Sequence, residues 1–277
     1  MNEQCYSAKE EYAVSTFTFE NYDLETALDC IAAHGFHTVE LWADKLAHVD
    51  PRILVDHEEV RELLKRYNMH VHSLHTPFRC FRPFLDIAEG QVYREEYWKK
   101  SIDFCEEFGI PVAVIHAMDR IGYNYNINDL PYVHDLLQRL AVYANEHGVK
   151  LALENIPNGK DPVHEINCTL ENLVRLFSDI KELSFCLDIG HVTVTNNDMA
   201  GEISAAGSRL ITFHIHNNDG KHDLHNTPDQ GMINWPLWHD VIRKNGYEGQ
   251  FVFEVCGYDD PFSRMDHLAS LFEETED

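Results

Sequence analysis

Short apolar runs alternate with longer, more polar stretches along most of this chain. Each run is rich in Val, Ile, Leu and Phe, which is typical of strands buried on both faces of a parallel sheet. The stretches between the runs are long enough for helices. The pattern predicts eight strands, at Ala13–Phe19, Thr38–Trp42, His70–His75, Val112–His116, Lys150–Asn155, Leu183–Asp188, Leu210–His216 and Gln250–Val255.

Cap residues indicate where the intervening helices begin and end. Asp23 and Thr169 stand at predicted helix starts, where a side-chain oxygen can accept from a free backbone N–H. Gly35 and Gly148 follow predicted helix ends, and Pro236 lies in a predicted first turn. The predicted helices are Asp23–Ala33, Asp56–Tyr67, Gln91–Phe108, Asp129–His147, Thr169–Ser178, Met199–Ala206 and Trp235–Lys244.

The strand–helix repeats run through the chain without a Pro/Gly/Ser-rich linker or a break in composition. They predict one domain over residues 1–277, with residues 1–11 and 273–277 flexible. Eight such units in this length fit a single (β/α)8 TIM barrel of the α/β class. A doubly wound open sheet is the alternative, but no glycine-rich dinucleotide or P-loop motif follows any predicted strand.

The chain is strongly acidic, which narrows the range of partners. It carries 47 acidic and 22 basic side chains, a formal charge of −25. Such a surface repels nucleic acid phosphates and anionic lipids, so we expect a small-molecule ligand. No apolar run approaches the roughly 18 residues of a membrane span. The 7 cysteines are widely spaced without a CxxC pair, which indicates reduced thiols. We expect a cytoplasmic protein, and the sequence leaves a homo-oligomer open.

Imidazole and carboxylate side chains stand at the ends of six predicted strands or in the loops that follow. Active sites of (β/α)8 barrels form at this end of the barrel, so we expect these side chains to converge. A carboxylate that ends an apolar run is unfavourable unless it is bound or paired. Mixed imidazole and carboxylate sets suit divalent metal ions. The candidate residues are His75, His116, Glu154, Asp188, His191, His216, Asp223, His225 and Glu254.

Two short motifs in this set bear on its geometry. Gly190 lies between Asp188 and His191 and allows a tight turn, so both side chains can face one cavity. The alternative is a helix-capping aspartate beside a surface histidine. His214 and His216 alternate and therefore point to the same face of their strand. We select His216, nearer the strand end, as the ligand, and interpret His214 as a core or supporting residue.

Other charged residues near the predicted site have two interpretations each. Glu154 and Glu254 end apolar strands, where the alternative to metal binding is a salt bridge or a contact with a helix cap. Glu40 ends the second strand and would either bind a substrate hydroxyl or pair with an arginine. Arg79 and Arg82 form a short basic cluster that could hold a sugar phosphate through forked hydrogen bonds, or lie solvated in a loop.

Four motifs in order, LALENIPNG, CLDIGH, HIHNNDGKHDLH and FVFEV, resemble the xylose isomerase-like TIM-barrel superfamily. The resemblance covers nearly the whole chain. The superfamily contains sugar and sugar phosphate isomerases and epimerases, and also AP endonucleases of the endonuclease IV type. One departure is the segment TPDQGMINW, which stands where the family usually has a glycine-rich loop.

The ketose 3-epimerase branch of this superfamily implies one function. There, Glu, Asp, His and Glu of four late strands hold one divalent metal, and these positions match Glu154, Asp188, His216 and Glu254. The resemblance implies that Glu154 and Glu254 act as acid and base through a metal-stabilised enediolate. It predicts an isomerase or epimerase of a sugar, sugar phosphate or related polyol, with one Mn, Co, Zn, Fe or Mg ion.

The endonuclease branch implies an alternative. Its three zinc ions use nine ligands, and the nine candidates match them by residue type. This predicts a multinuclear phosphoesterase of a small substrate, with up to three ions. The acidic charge favours the sugar reaction, and a sugar-binding barrel without activity is disfavoured because both glutamates are present. Five residues would bind additional metal in the esterase or substrate in the isomerase: His75, His116, His191, Asp223 and His225.

Overall fold

A computed structural model describes residues 6, 8–78, 88–116, 130–157, 168–195 and 198–273 of the chain. It contains eight strands: β1 (Tyr12–Ser15), β2 (Thr38–Trp42), β3 (His70–His75), β4 (Val112–Ile115), β5 (Lys150–Glu154), β6 (Leu183–Asp188), β7 (Leu210–Ile215) and β8 (Phe251–Phe253). All neighbouring strands are parallel, each pairs with the next, and β8 pairs with β1 to close the barrel. The predicted TIM barrel is confirmed.

The strands β2, β3 and β6 have their predicted bounds, and the other five end earlier than predicted. The largest difference follows β1, where Thr16–Phe19 forms a 3-10 helix rather than the end of a strand. Ser15 Oγ accepts from the Phe17 N–H at 3.3 Å and starts this turn. Its apolar residues are buried in either conformation, so the hydrophobic pattern did not distinguish the two.

Helices cover the outside of the barrel. Among those in the described residues, seven were predicted, and each of their ends lies within three residues of its predicted position. The two unpredicted helices are α6, which follows β6 without a loop, and α9 after β8. The helices are α1 (Leu24–Ala33), α2 (His57–Arg66), α3 (Ala88–Phe108), α4 (Leu130–Glu146), α5 (Leu170–Leu176), α6 (Ile189–Thr195), α7 (Met199–Ala206), α8 (Trp235–Lys244) and α9 (Pro261–Ser270).

The inside of the barrel is notably polar. His72 Nε2 on β3 lies 3.1 Å from Thr212 Oγ1 on β7. Ser73 Oγ donates to Glu40 Oε2 at 2.8 Å. These four side chains are buried, whereas the interior apolar cluster is small. That cluster consists of Val112, Val114, Ala152 and Cys186. The polar interior lies directly beneath the strand ends that carry the candidate residues.

Several properties of the chain ends and surface bear on the remaining predictions. Within the described ranges, no helix is both long and apolar enough to cross a bilayer.

The Tyr6 ring packs on Phe272 with centroids 5.5 Å apart, which joins the two ends of the described chain. Flexibility of the termini stays a prediction. Free thiols are present at Cys30, Cys105, Cys168, Cys186 and Cys256, while Cys5 and Cys80 lie outside the described residues.

Candidate metal centre at the mouth of the barrel

All nine candidate residues lie together at the mouth of the barrel. His75, Glu154 and Asp188 are the last residues of β3, β5 and β6. His191 lies in the first turn of α6, and the remaining five follow β4, β7 and β8 in loops. Most of the nine are buried, and Asp223 is the most exposed. The predicted convergence of strand ends therefore occurs.

Glu154 lies at the centre of four imidazole rings. His116 Nε2 is 2.9 Å and His75 Nε2 3.4 Å from its Oε2. His214 Nδ1 is 3.2 Å and His191 Nδ1 3.6 Å from its Oε1. In the described residues its ion-pair partners are all histidines. Because imidazoles are metal ligands as well as weak bases, this surrounding favours metal binding over a simple salt bridge.

Four donor atoms form what we term the deep group: one each from Glu154, Asp188, His214 and Glu254, all within 4.8 Å of one another. His214 Nδ1 lies 3.2 Å from Glu154 Oε1 and 3.4 Å from Glu254 Oε2. The sequence analysis selected His216 as the metal ligand, and this choice stays a prediction. His214 lies between the two glutamates, and His216 Nε2 lies 3.0 Å from Asp188 Oδ1 at the edge of the group.

A second set, the outer group, consists of His191, His216, Asp223 and His225, whose donor atoms also lie within 4.8 Å of one another. Asp223 is its centre. Its carboxylate oxygens lie 3.3 Å from His225 Nε2, 3.5 Å from His191 Nε2 and 3.7 Å from His216 Nε2. The rings of His216 and His225 stack with centroids 3.9 Å apart. Three imidazoles and one carboxylate form a zinc-type ligand set.

Backbone carbonyls fix the tautomers of three of the candidate histidines. A carbonyl oxygen only accepts, so the Nδ1 that faces it carries the hydrogen and Nε2 is left to face the carboxylates. This arrangement is common in metal-binding histidines. The contacts are from His75 to Thr76 O (3.0 Å), from His191 to Asn155 O (2.8 Å) and from His225 to Glu254 O (2.8 Å).

Buried polar atoms without a hydrogen-bond partner concentrate in this site. Such atoms cost free energy in a folded protein and call for a partner. Here they point into one small volume and carry the lone pairs that a divalent cation needs, so the residues present fit a metal ion. Within the described residues they include His75 Nε2, Glu154 Oε1, Asp188 Oδ2, His214 Nδ1 and both ring nitrogens of His216. His214 Nδ1 and His216 Nε2 lie 3.2 and 3.0 Å from carboxylate oxygens, but neither contact has the geometry of a hydrogen bond.

Neighbouring charges lower the pKa of Glu154 and raise the pKa of His191, in each case against the effect of burial. Burial raises the pKa of Glu154, but the charges of His214 and His116 outweigh it and lower that pKa well below its usual value. Burial lowers the pKa of His191, yet Asp188 and Asp223 raise it to about 9. Without a cation Glu154 is therefore ionised and His191 holds a proton. A metal bound to His191 would displace that proton.

Gly190 and Asn155 position side chains of the site, and the sequence analysis did not identify Asn155. A Cβ at Gly190 would lie 2.0 Å from His216 Cε1, so the absent side chain makes room for that ring. Asn155 ties β5 to β6: its side chain donates to Asp188 O (3.1 Å) and accepts from the Asp188 N–H (2.8 Å). The available signal for Asn155 was its place immediately after Glu154 at the strand end.

Glu40 and the arginine cluster have different outcomes. Glu40 is fully buried, and within the described residues it contacts Ser73 and His214. Its role toward a substrate hydroxyl or an arginine stays a prediction. Glu40 alternates along β2 with Val39 and Leu41, which belong to the main apolar core, so its side chain points to the other face of the strand. A register shift between β2 and β3 pairs it with Ser73. Arg79 and Arg82 lie outside the described residues.

Aromatic rings form a wall on one side of the site. The Trp42 ring lies 4.7 Å from that of His75, and Phe78 lies 4.3 Å from that of His116, measured between centroids. Phe17 contacts Trp42 at 4.7 Å. An apolar wall facing a few convergent polar groups is the usual composition of a small-molecule site.

The closed barrel and the acids and imidazoles grouped at its mouth define a TIM barrel with a candidate metal site, and comparison with known proteins specifies the family. Residues 28–274 match the model of the xylose isomerase-like TIM barrel, and the chain belongs to this family. The resemblance seen in the motifs is thus confirmed.

An uncharacterised protein of Methanocaldococcus jannaschii is 25% identical over 250 residues, covering 88% of this chain and 83% of its own. Among solved structures, a D-tagatose 3-epimerase-like protein has a TM-score of 0.77 at 23% identity and covers 94% of this chain and 96% of its own. The 3-keto-D-glucoside 4-epimerase of E. coli has a TM-score of 0.75 at 20% identity, with coverages of 94% and 98%. Likeness at these identities shows the shared fold.

Proposed function

We propose that this protein is a divalent-metal-dependent isomerase or epimerase of a sugar, sugar phosphate or related polyol. The observation that carries the proposal is the deep group, in which two buried glutamates lie within 4.8 Å of each other beside Asp188 and a histidine. Two carboxylates at one centre can remove and return a proton. The epimerase names of the two structural neighbours support a carbohydrate substrate.

The division of labour follows from the donor atoms. Glu154, Asp188, Glu254 and a histidine would hold the cation, which supplies a Lewis acid that polarises a substrate carbonyl. One of the two glutamates accepts a proton from the carbon next to that carbonyl, and the other returns one. Burial of both carboxylates excludes competing water. His191, in the first turn of α6, would orient a substrate hydroxyl.

Proton exchange in D2O tests this proposal without knowledge of the product. Metal-loaded protein would be incubated with ketohexoses, ketose phosphates and 3-keto-glycosides, and NMR would follow deuterium at the carbon next to the carbonyl. Glu154→Gln and Glu254→Gln should each slow exchange at least about 100-fold, because acid–base transfer contributes roughly 10²–10⁴-fold. More than about a tenth of wild-type exchange in either folded variant contradicts the role of that glutamate.

The outer group favours a second candidate, a multinuclear phosphoesterase of a small substrate. Its four donors are separate from the two glutamates, and His75, His116 and Glu154 form a further three-donor set. Several metal ions could therefore bind and activate water for attack on phosphorus. The formal charge of −25 disfavours phosphate-rich ligands and makes this the second candidate.

Counting metal ions separates the two candidates. In the isomerase, His75→Ala and His116→Ala should leave the ion of the deep group in place and only weaken turnover. In the esterase, each change should remove one ion per chain, because these histidines would supply most of a separate site. Elemental analysis of both variants against wild type decides, with hydrolysis of bis(p-nitrophenyl) phosphate as the activity measurement. A whole-number loss of metal favours the esterase.

A further inference from the structure

Arg94 on α3 is a buried arginine for which the proposed reaction has no role. It is 4% exposed, and it is the one buried arginine among the described residues. Its guanidinium carbon lies 4.9 Å from the centre of the Trp98 ring. In the part of the chain that the structure describes, its Nε has no hydrogen-bond partner and no carboxylate pairs with it. A buried charge without a partner is costly, so this group calls for an explanation.

The other arginines with described side chains all have an oxygen partner. Each donates to a carboxylate, a side-chain amide or a backbone carbonyl. The chain has 47 acidic side chains, so a carboxylate partner for Arg94 would be easy to supply. The open guanidinium therefore indicates a place for an anion from outside the chain. The partnered arginines are Arg52, Arg61, Arg66, Arg139, Arg175, Arg209, Arg243 and Arg264.

The position of Arg94 on α3 directs its side chain toward the mouth of the barrel. Trp98, Ile102 and Cys105 are buried and follow it at helical spacing, so Arg94 continues the barrel-facing side of the helix. Trp98 Nε1 donates to Pro77 O at 2.9 Å, which sets this turn of the helix level with the end of β3. Arg94 lies one turn nearer the helix start, which is the side of the mouth because helices and strands of the barrel run in opposite directions.

Thr76 adds a second polar group to the layer between β3 and α3. Its N–H donates to Val114 O at 3.0 Å, so it continues the pairing of β3 beyond His75. Neighbouring residues of a strand point to opposite faces, so Thr76 faces α3 while His75 faces the mouth. Its Oγ1 is buried and has no hydrogen-bond partner within the described ranges. A guanidinium fork and a hydroxyl are both suited to donate to phosphate oxygens.

We propose that Arg94 and Thr76 form a binding site for a phosphate group and that the substrate carries this group. The statement about the substrate rests on the proposed function, whereas the phosphate site does not depend on it. A guanidinium that stacks on an aromatic ring keeps its N–H edge free for a bidentate contact. The site borders the metal centre, because Phe78 follows Pro77 directly and its ring lies 4.3 Å from that of His116.

Calorimetric titration of the metal-loaded protein with inorganic phosphate tests the site without turnover. Arg94→Met should raise the Kd for phosphate at least about 10-fold, because hydrogen bonds to charged groups are strong. Arg94→Lys keeps the charge but not the fork, so its Kd should lie between those of wild type and Arg94→Met. Thr76→Val should raise the Kd about threefold. Phosphate should also raise the Tm of wild type but not that of Arg94→Met.

Arg175→Met is the matched control, because it removes one positive charge from an exposed position on α5. Arg175 Nη2 donates to Asn172 Oδ1 at 3.0 Å. This variant should have the phosphate Kd of wild type. A wild type without measurable phosphate binding, or the same Kd in Arg94→Met and Arg175→Met, overturns the phosphate site. Circular dichroism checks folding, and if Arg94→Met does not fold, Arg94→Lys and Thr76→Val decide.

Exchange in D2O shows whether the phosphate belongs to the substrate. If it does, Arg94→Met should raise KM for a ketose phosphate at least about 10-fold, with kcat within about threefold and KM for the unphosphorylated ketose unchanged. If KM changes alike for both substrates, the phosphate is a separate ligand, and the statement about the substrate is overturned while the site stands. No exchange by wild type with any substrate contradicts the proposed function and leaves the calorimetric result intact.

Discussion

The deep and outer groups use the same kinds of side chain but differ in composition and support. Three of the four deep residues belong to the barrel strands themselves, and three of the four are carboxylates. The outer group has three imidazoles and one carboxylate, carried by α6 and the loop segments around β7. Strands hold side chains more rigidly than loops do, and loops vary more readily. The difference suggests fixed chemistry at the deep group and adaptable ligand contacts at the outer group.

Removal of metal should have the largest effect on activity of the changes described below. We expect exhaustive chelation to abolish D2O exchange and Mn²⁺ or Co²⁺ to restore it better than Ca²⁺. Mixed carboxylate and imidazole sets suit transition ions, whereas Ca²⁺ favours oxygen ligands. The measurement is the exchange rate of chelated protein with each ion added back. Full activity in metal-free protein would contradict a catalytic metal in either group.

A matched pair of Asp→Asn changes should separate the two groups. Asp188→Asn removes a deep carboxylate and should lower kcat/KM more than about 100-fold, because the ion and the reacting centre lose a charge. Asp223→Asn makes the same change in the outer group and should cost about 10-fold, mainly in KM. Steady-state kinetics on both variants measures the difference. Equal losses in kcat would show that the outer group shares in the chemistry.

The sequence was sufficient for the barrel and for the convergence of its polar strand ends. A strand-end acid or imidazole is recognisable without knowing its neighbours, and the closed barrel brings six such ends together. The sequence could not show which of His214 and His216 lies between the two glutamates. A period of two places both on one face, and which of them meets Glu154 depends on where β7 ends and on the opposite side of the barrel. The contact of Glu40 with Ser73 follows a register shift between β2 and β3, which the hydrophobic pattern does not reveal.

Gly190→Ala should have an intermediate effect, on stability, because it displaces His216 of the outer group. The new Cβ would lie 2.0 Å from His216 Cε1 and 2.4 Å from its Nδ1, so the buried ring must move. We expect a loss of about 1–3 kcal/mol in the free energy of unfolding, as is usual for overpacking. Urea denaturation measures it.

Gly201→Ala is the control for this change. Gly201 also lies in a helix, but its nearest neighbour would be the Asp198 side chain at 3.0 Å, at the helix start. Alanine there should be neutral or slightly stabilising, because it favours helix more than glycine does. Equal stability of the two variants would mean that His216 moves aside without cost and that Gly190 is not required by its ring.

The smallest predicted effect is on stability at acid pH, and it comes from His72, which lies inside the barrel beneath both groups. Burial lowers the pKa of His72 from 6.5 to about 4, which the charge of Glu40 only partly opposes. Between these values the unfolded chain binds a proton that the folded protein does not, so stability falls as pH drops from about 6.5 toward 4. At pH 5 this contribution is about 2 kcal/mol. Above pH 7 it is absent.

His72→Gln removes this titration while keeping a polar partner for Thr212. Urea unfolding at pH 7 and pH 5 should show that the variant loses about 2 kcal/mol less on acidification than wild type. Other acids and histidines titrate in both proteins, so only the difference between the two is informative. The same pH dependence in both would show that His72 is already protonated in the folded state.

The two unpredicted helices show what kind of signal was lacking. In α6 the segment Ile189–Thr195 contains a glycine and several β-branched residues, which favour strand over helix, so tertiary packing determines its helical form. In α9 the signal was present: Asp260 is the N-cap and Pro261 the first helical residue. The bounds of α9 were thus readable, and those of α6 required the surrounding structure.

The polar barrel interior also constrains how this protein can be altered. Thr212 and His72 meet across the barrel, and Glu40 links Ser73 to His214, so each of these side chains satisfies another. Replacing one member of a pair leaves the other buried without a hydrogen-bond partner, whereas replacing both members together can avoid this cost. A laboratory library that varies one interior position at a time would therefore return mostly impaired proteins. Productive routes to new variants should pass through paired changes on opposite strands.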